Sequence, residues 1–188
     1  MSSADGEHES VKLSCPSKGA SARGSSTWKH DTRKFGPQNA LDSASDAAWK
    51  SAPSEEVDPM AYYEIYFHRP VSVKEMRVQF QGGFVGMDCI VYQKKSSNQT
   101  TTTTNEGSSS GEQQRNNDDK DVEWEEFDEL FVEPQDSIEI QTFPVDEMES
   151  DEDEAYGTCT ALRMEFGKST DFYGRIVIYS LEIWGTEA

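Results

Sequence analysis

Positive charge is what this chain has least of: 17 Lys and Arg stand against 36 Asp and Glu in 188 residues, a formal net charge of -19 at pH 7. A field of that sign repels nucleic-acid phosphates and anionic headgroups, so direct nucleic-acid and membrane-surface binding are both disfavoured. Long apolar runs are missing as well. No stretch reaches the roughly 18 apolar residues of a bilayer span, and MSSADGEHESVKL has neither the basic start nor the apolar centre of a secretory signal. A nuclear or cytoplasmic address is expected, not secretion. Cysteine is scarce: Cys15, Cys89 and Cys159 are odd in number and widely spaced, which argues against a disulfide framework or a zinc site and leaves free thiols. Histidine is scarce too. His8 lies in a polar tail, and His30 and His68 have no serine or cysteine motif beside them, so no catalytic residue is assigned and an enzyme is not expected. The carboxylate runs EWEEFDE and DEMESDEDE do not replace one, because solvated acids lack the environments that push two pKa values apart.

What is present is strand alternation. In residues 161–185, Leu162, Met164 and Phe166 oppose Arg163 and Glu165, and after a polar, glycine-bounded connection Tyr179, Leu181 and Ile183 oppose Ser180 and Glu182. Ile176, Val177 and Ile178 are apolar in succession, which calls for neighbours on both faces or for a bulge that switches the inward side. Such a strand belongs between earlier ones, in an antiparallel sandwich or barrel. Residues 11–15 read as an edge strand and 17–26 mostly as loop. Tyr63, Ile65 and Phe67 mark a strand ended by Pro70, and Val73, Met76, Val78 and Phe80 mark another that forms a hairpin with 87–92 through Gly82 and Gly83. In SIEIQTF, Ile138 and Ile140 share the face of a further strand closed by Pro144.

Two stretches interrupt this pattern. Residues 93–121 contain no apolar side chain and residues 146–154 are a run of mutually repelling acids, so both read as disordered inserts. The expected organisation is a frayed tail over 1–10 and one domain over 11–188, a monomer when alone.

Three constellations invite a binding role. Asn39, Asp42 and Asp46 lie in a turn-rich loop able to supply oxygen ligands to calcium, although Asp42 capping its own turn explains the same residues. Trp28 and Trp49 offer faces for a sugar; Trp49 reads as a core anchor, while Trp28 stays open. Phe84, Phe172 and Tyr173 sit in the glycine-bounded turns QGGFVG and DFYGR, where a large side chain either folds back on the core or projects as an interaction anchor. Arg175 adds an electrostatic contact there or pairs with one of the many acids.

The motifs QFQGGF, QTFPV and, above all, TDFYGRIVIYSLEIWG resemble a small family of nuclear-receptor-associated proteins. A loop like NALD...W, residues 39–49, resembles its counterpart in discoidin-like domains of coagulation-factor type C. The resemblance implies an all-β, galactose-binding-like jelly-roll sandwich. It also implies an intracellular or nuclear address and a protein-binding role at a nuclear receptor, repressing receptor-driven transcription. No cofactor is expected. The competing expectation is a carbohydrate- or calcium-binding discoidin-like module using Asn39, Asp42 and Asp46.

Overall fold

The computed structural model describes residues 9–42, 47–54, 61–96, 123–146 and 158–187. All strand pairings among these are antiparallel, and one long strand, β4 (Tyr62–Phe80), holds them together. Its first part pairs with β2 (Ser21–Gly24) on one side and β8 (Cys159–Ser169) on the other. Its second part pairs with β7 (Gln141–Pro144) and β9 (Val177–Glu187). The ladder to β8 slips between Tyr66 and Val71, His68 takes a left-handed φ of 57°, and Pro70 lies in the slip. The proline therefore does not end the strand; it occupies the corner where a donor is dispensable and the strand passes from one layer to the other.

The first layer is extended by β5 (Gly86–Lys95) on β8 and by the short β6 (Glu125–Glu126) on β5. The second is extended by β1 (Val11–Lys12) and β3 (Trp49–Lys50), both on β9. Side chains from the two layers meet edge to face, with Trp49 against Tyr63 at 5.2 Å and Phe80 against Phe166 at 6.2 Å between ring centroids. These pairs centre an all-β core that includes Leu13, Ile65, Met76, Met164, Leu181 and Ile183. The final strand lies between β4 and the β1 and β3 edge, as its apolar run requires. The bulge sits at Tyr179: Ile178 faces Phe80 and Ser180 faces Gln79, so Tyr179 is skipped and turned outward while Leu181 returns inward.

Several expectations are corrected. Residues 21–24 form a strand although none of their side chains but Arg23 is large, because the backbone of β4 supplies their partners. The segments around Gly82 and Gly83 are not a hairpin: after the turn the chain crosses to the other layer, and β5 pairs with β8 instead of β4. The strand in SIEIQTF begins only at Gln141. Ile138 lies in a bend and Ile140 in irregular chain, 62% and 61% exposed, since the backbone of Gly83 and the side chain of Gln79 bind Asp136 and the Ile138 carbonyl in place of a ladder. Residues 93–95, expected in an insert, continue β5, with Gln93 buried where the strand crosses Leu162. The expected disorder of 97–121 and 147–154 lies outside the described residues, as does the tail over 1–8.

Candidate functional site

At the Phe80 end of β4 the turns QGGF and DFYGR are tied into one unit. The Phe84 amide donates to the Gln81 carbonyl, and the Gly174 amide to the Asp171 carbonyl, closing each turn at 3.0 and 2.9 Å. Gly83 and Gly174 adopt φ of 77° and 73°, the left-handed region glycine enters without steric cost. At Gly174 space is also limiting, because a Cβ would stand 2.4 Å from the Ser54 hydroxyl oxygen. The turns are cross-linked by Val177 N–H to the Phe84 carbonyl, 3.0 Å, and by Val85 N–H to the Thr170 hydroxyl, 2.9 Å. Ser54 N–H donates to the Tyr173 carbonyl, 2.9 Å, and buried Ser51 accepts from the Ile176 amide, 2.8 Å, which fixes β3 beside them.

On this base stands a cluster of rings and cations. The Lys50 ammonium lies over Trp28 at 4.9 Å, Phe84 at 5.7 Å and Phe35 at 5.9 Å. The Arg175 guanidinium lies over Phe84 at 5.1 Å, Tyr173 at 5.3 Å and Trp28 at 5.5 Å. Arg175 is fixed by a fork to Asp171, which the neighbouring guanidinium holds below the usual carboxylate range. Lys50 is pushed down from the ordinary lysine value, first by desolvation and then by the charge of Arg175. Trp28 reaches the cluster from a short 3-10 turn in which Lys29 and His30 both take left-handed φ, 55° and 54°. Non-glycine residues pay roughly 1–2 kcal/mol each for that conformation.

Phe84, Tyr173 and Arg175 thus share one surface. Phe172 stands edge-on to Tyr173, ring centroids 5.2 Å apart, and projects away, 93% exposed against 54% for Tyr173. Neither aromatic of this turn belongs to the core, nor does Phe84. Lys50, Phe35 and Trp28 complete the surface without having been read as part of it. The signal for Lys50 is its place after buried Trp49: in a strand, the next side chain must face out.

None of the other described candidates makes a cation–ring contact in this cluster. Asn39 spends its amide on the Ala48 carbonyl at 3.4 Å, in the 3-10 turn Pro37–Leu41 whose Ala40 and Leu41 enter the core. Asp42 follows that turn, its own amide donating to the Asn39 carbonyl, and Asp46 lies outside the described residues. Among the described residues no group of three or more His, Cys, Asp and Glu side chains is arranged to hold a metal ion. Trp49 is fully buried and donates to the Ser26 carbonyl, a core anchor. No helix of the described residues is long and apolar enough to cross a membrane.

No family model matches the chain. It is 30% identical over 164 residues to the nuclear receptor 2C2-associated protein of Danio rerio, covering 87% of this chain and 89% of that protein. In structure it is similar to an F5/8 type C domain from Bacteroides fragilis, with a TM-score of 0.63 and 12% identity, covering 97% of this chain and 99% of that one. It is also similar to the family 32 CBM of NanJ from C. perfringens, solved in complex with galactose. There the TM-score is 0.60 and the identity 8%, with 94% and 99% covered. The fold is therefore the galactose-binding-like, discoidin-type sandwich.

Proposed function

This chain belongs to the nuclear receptor 2C2-associated protein family, and from that premise we propose that it is a non-catalytic module that binds another protein through the turns QGGF and DFYGR. The observation that carries the reading is Phe172, a large apolar ring 93% exposed on a turn whose every neighbour is hydrogen-bonded in place. A ring left in water on a mobile loop is a solubility cost, whereas one held rigid loses little entropy when a partner covers it. The name of the relatives points to a nuclear receptor as that partner and to work in the nucleus. The carbohydrate alternative is weakened by the cluster itself, because one face of Trp28 and of Phe84 is already covered by the protein's own cations.

The test is Phe172→Ala with Tyr173→Ala in the full chain. A docking surface loses the receptor in a pull-down, with affinity falling by about 2 kcal/mol or more, while the melting temperature stays near that of the parent. A double variant that retains the receptor, or one that unfolds, overturns the assignment of the surface.

A further inference from the structure

Lys50 is held unusually for a surface lysine. Its backbone is fixed by pairing with Val177, its ammonium lies over three rings, and among the described residues no carboxylate or carbonyl accepts from it. Ring faces attract a cation but take none of its three N–H donors in a directed bond. Around it the segment 28–35 brings Lys29, Arg33 and Lys34 against the single carboxylate Asp31, and Asp171 is spent on Arg175. Among the described residues, this surface is locally positive in a chain of net charge -19.

The two longest acidic stretches join the described residues at the other end. Residues 97–122 and 147–157 are flanked by Ser96 and Thr158, which are hydrogen-bonded to each other at 2.8 Å, and by Lys95 paired with Cys159. Cys159 lies opposite Val71, and from Val71 to Phe80 β4 runs roughly 30 Å. That separation between the points of attachment is several Debye lengths at physiological salt.

We infer that the surface takes an acidic peptide segment of a partner protein, one carboxylate meeting the Lys50 ammonium while an apolar side chain beside it packs on Phe172 and Tyr173. This rests on the docking surface proposed above. The rings exclude water from the ammonium, and a carboxylate reaching a partly desolvated ammonium gains more than one reaching a solvated lysine. The positive edges of Trp28, Phe35 and Phe84 favour the same anion. A membrane is the poorer occupant, because it would bring the whole acidic chain against an extended anionic sheet. A peptide engages only the patch.

The experiment uses the full chain and three probes: a labelled peptide of alternating glutamate and leucine, its glutamine counterpart, and vesicles of phosphatidylcholine containing phosphatidylserine. The acidic peptide is expected to bind with a salt-sensitive affinity and the glutamine peptide about tenfold or more weakly. Lys50→Met, which keeps the aliphatic stem, should lose that preference at an unchanged melting temperature, and Lys50→Arg should restore it. Equal binding of the two peptides, an unaffected Lys50→Met variant, or vesicle binding without peptide binding overturns the inference. Failures are separable through the Phe172 and Tyr173 double variant. If it loses the receptor while the acidic peptide never binds, only the acidic chemistry falls; if it keeps the receptor, the surface itself falls.

Discussion

Arg175 grips Asp171 with two parallel bonds, Nε to Oδ2 at 2.8 Å and Nη2 to Oδ1 at 3.0 Å, and the same carboxylate accepts the Arg175 amide at 3.1 Å. One aspartate thus sets both the turn and the direction of the cation that lies over Phe84 and Tyr173. Because Arg175 holds the Asp171 carboxyl below its ordinary value, the pair stabilises the fold above the unfolded carboxylate pKa near 4 and loses that contribution as pH falls through the lower folded value. Asp171→Asn should cost about 1 kcal/mol at neutral pH, and the gap to the parent should close in acid. Urea melts at several pH values check this; a gap that is constant down to pH 3 would exclude the pair as its source.

A second pair is more deeply placed. Glu64 is buried on β4 and takes Nε of Arg163 at 2.8 Å and the Tyr66 hydroxyl at 2.8 Å, beneath Trp124, which Arg163 approaches at 4.7 Å. Removing one member strands the other in a half-dry setting. Glu64→Ala should therefore lower stability by about 3 kcal/mol, and Arg163→Met, which keeps packing against Trp124 but leaves the buried carboxylate unpaired, by a comparable amount. Since each single change already breaks the pair, the double variant should be less damaged than the sum. A fully additive result would show that the pair is not coupled.

The three thiols should separate by reactivity. Cys15 is bonded to the Ser17 hydroxyl at 3.0 Å, which lowers its pKa, whereas burial pushes Cys89 and Cys159 up to about 12. At pH 8 a mild alkylating agent should add once, at Cys15, as read by intact mass. The raised groups also set an alkaline limit. Their protons are held in the folded state and lost earlier in the unfolded one, so stability should fall as pH rises from about 9 toward 12. Tyr66, also pushed to about 12 by desolvation and by the Glu64 bond, contributes with the same sign.

Calcium and galactose should leave the melting temperature unchanged. A ligand that binds only the native state raises it by mass action, and the Asn39 amide and the turn after Leu41 are already engaged in local bonds. A saturable rise with either would return Asn39, Asp42 and Asp46 to candidacy.

Much of this molecule was legible in the alternation of its strands. Leu162, Met164, Phe166, Leu181 and Ile183 are buried where a two-residue period puts them, and of the two readings that Ile176, Val177 and Ile178 left open, a bulge is found, at Tyr179. What alternation does not carry is which strands are neighbours. Nothing in Val73 to Phe80 says that the next strand crosses to the other layer, and nothing in Ser21 to Gly24 says that a backbone waits to pair with it. The rim of the site divided in the same way. Glycine punctuation marked the turns that carry Phe84, Phe172 and Tyr173, but Lys50 and Phe35 reach them only through tertiary contacts.

The junction of β5 and β6 gives the last prediction. Tyr92 pairs with Glu126 and Gln93 with Glu125, and the Lys95 ammonium reaches the Glu125 carboxylate at 2.8 Å, so the strands already form a hairpin whose loop spans 97–122. Loop length enters stability only logarithmically, at about 0.6 kcal/mol per doubling, and a segment whose one apolar side chain is Val122 has little to bury. Replacing 97–122 by a short glycine and serine turn should therefore leave the melting temperature within a few degrees of the parent or raise it slightly. The receptor proposed as partner should be retained too, because the turns carrying Phe84 and Phe172 lie at the far end of β4. A large fall in melting temperature would mean that the segment packs on the sandwich; loss of the receptor from a stable variant would move part of the interface to the Val71 end.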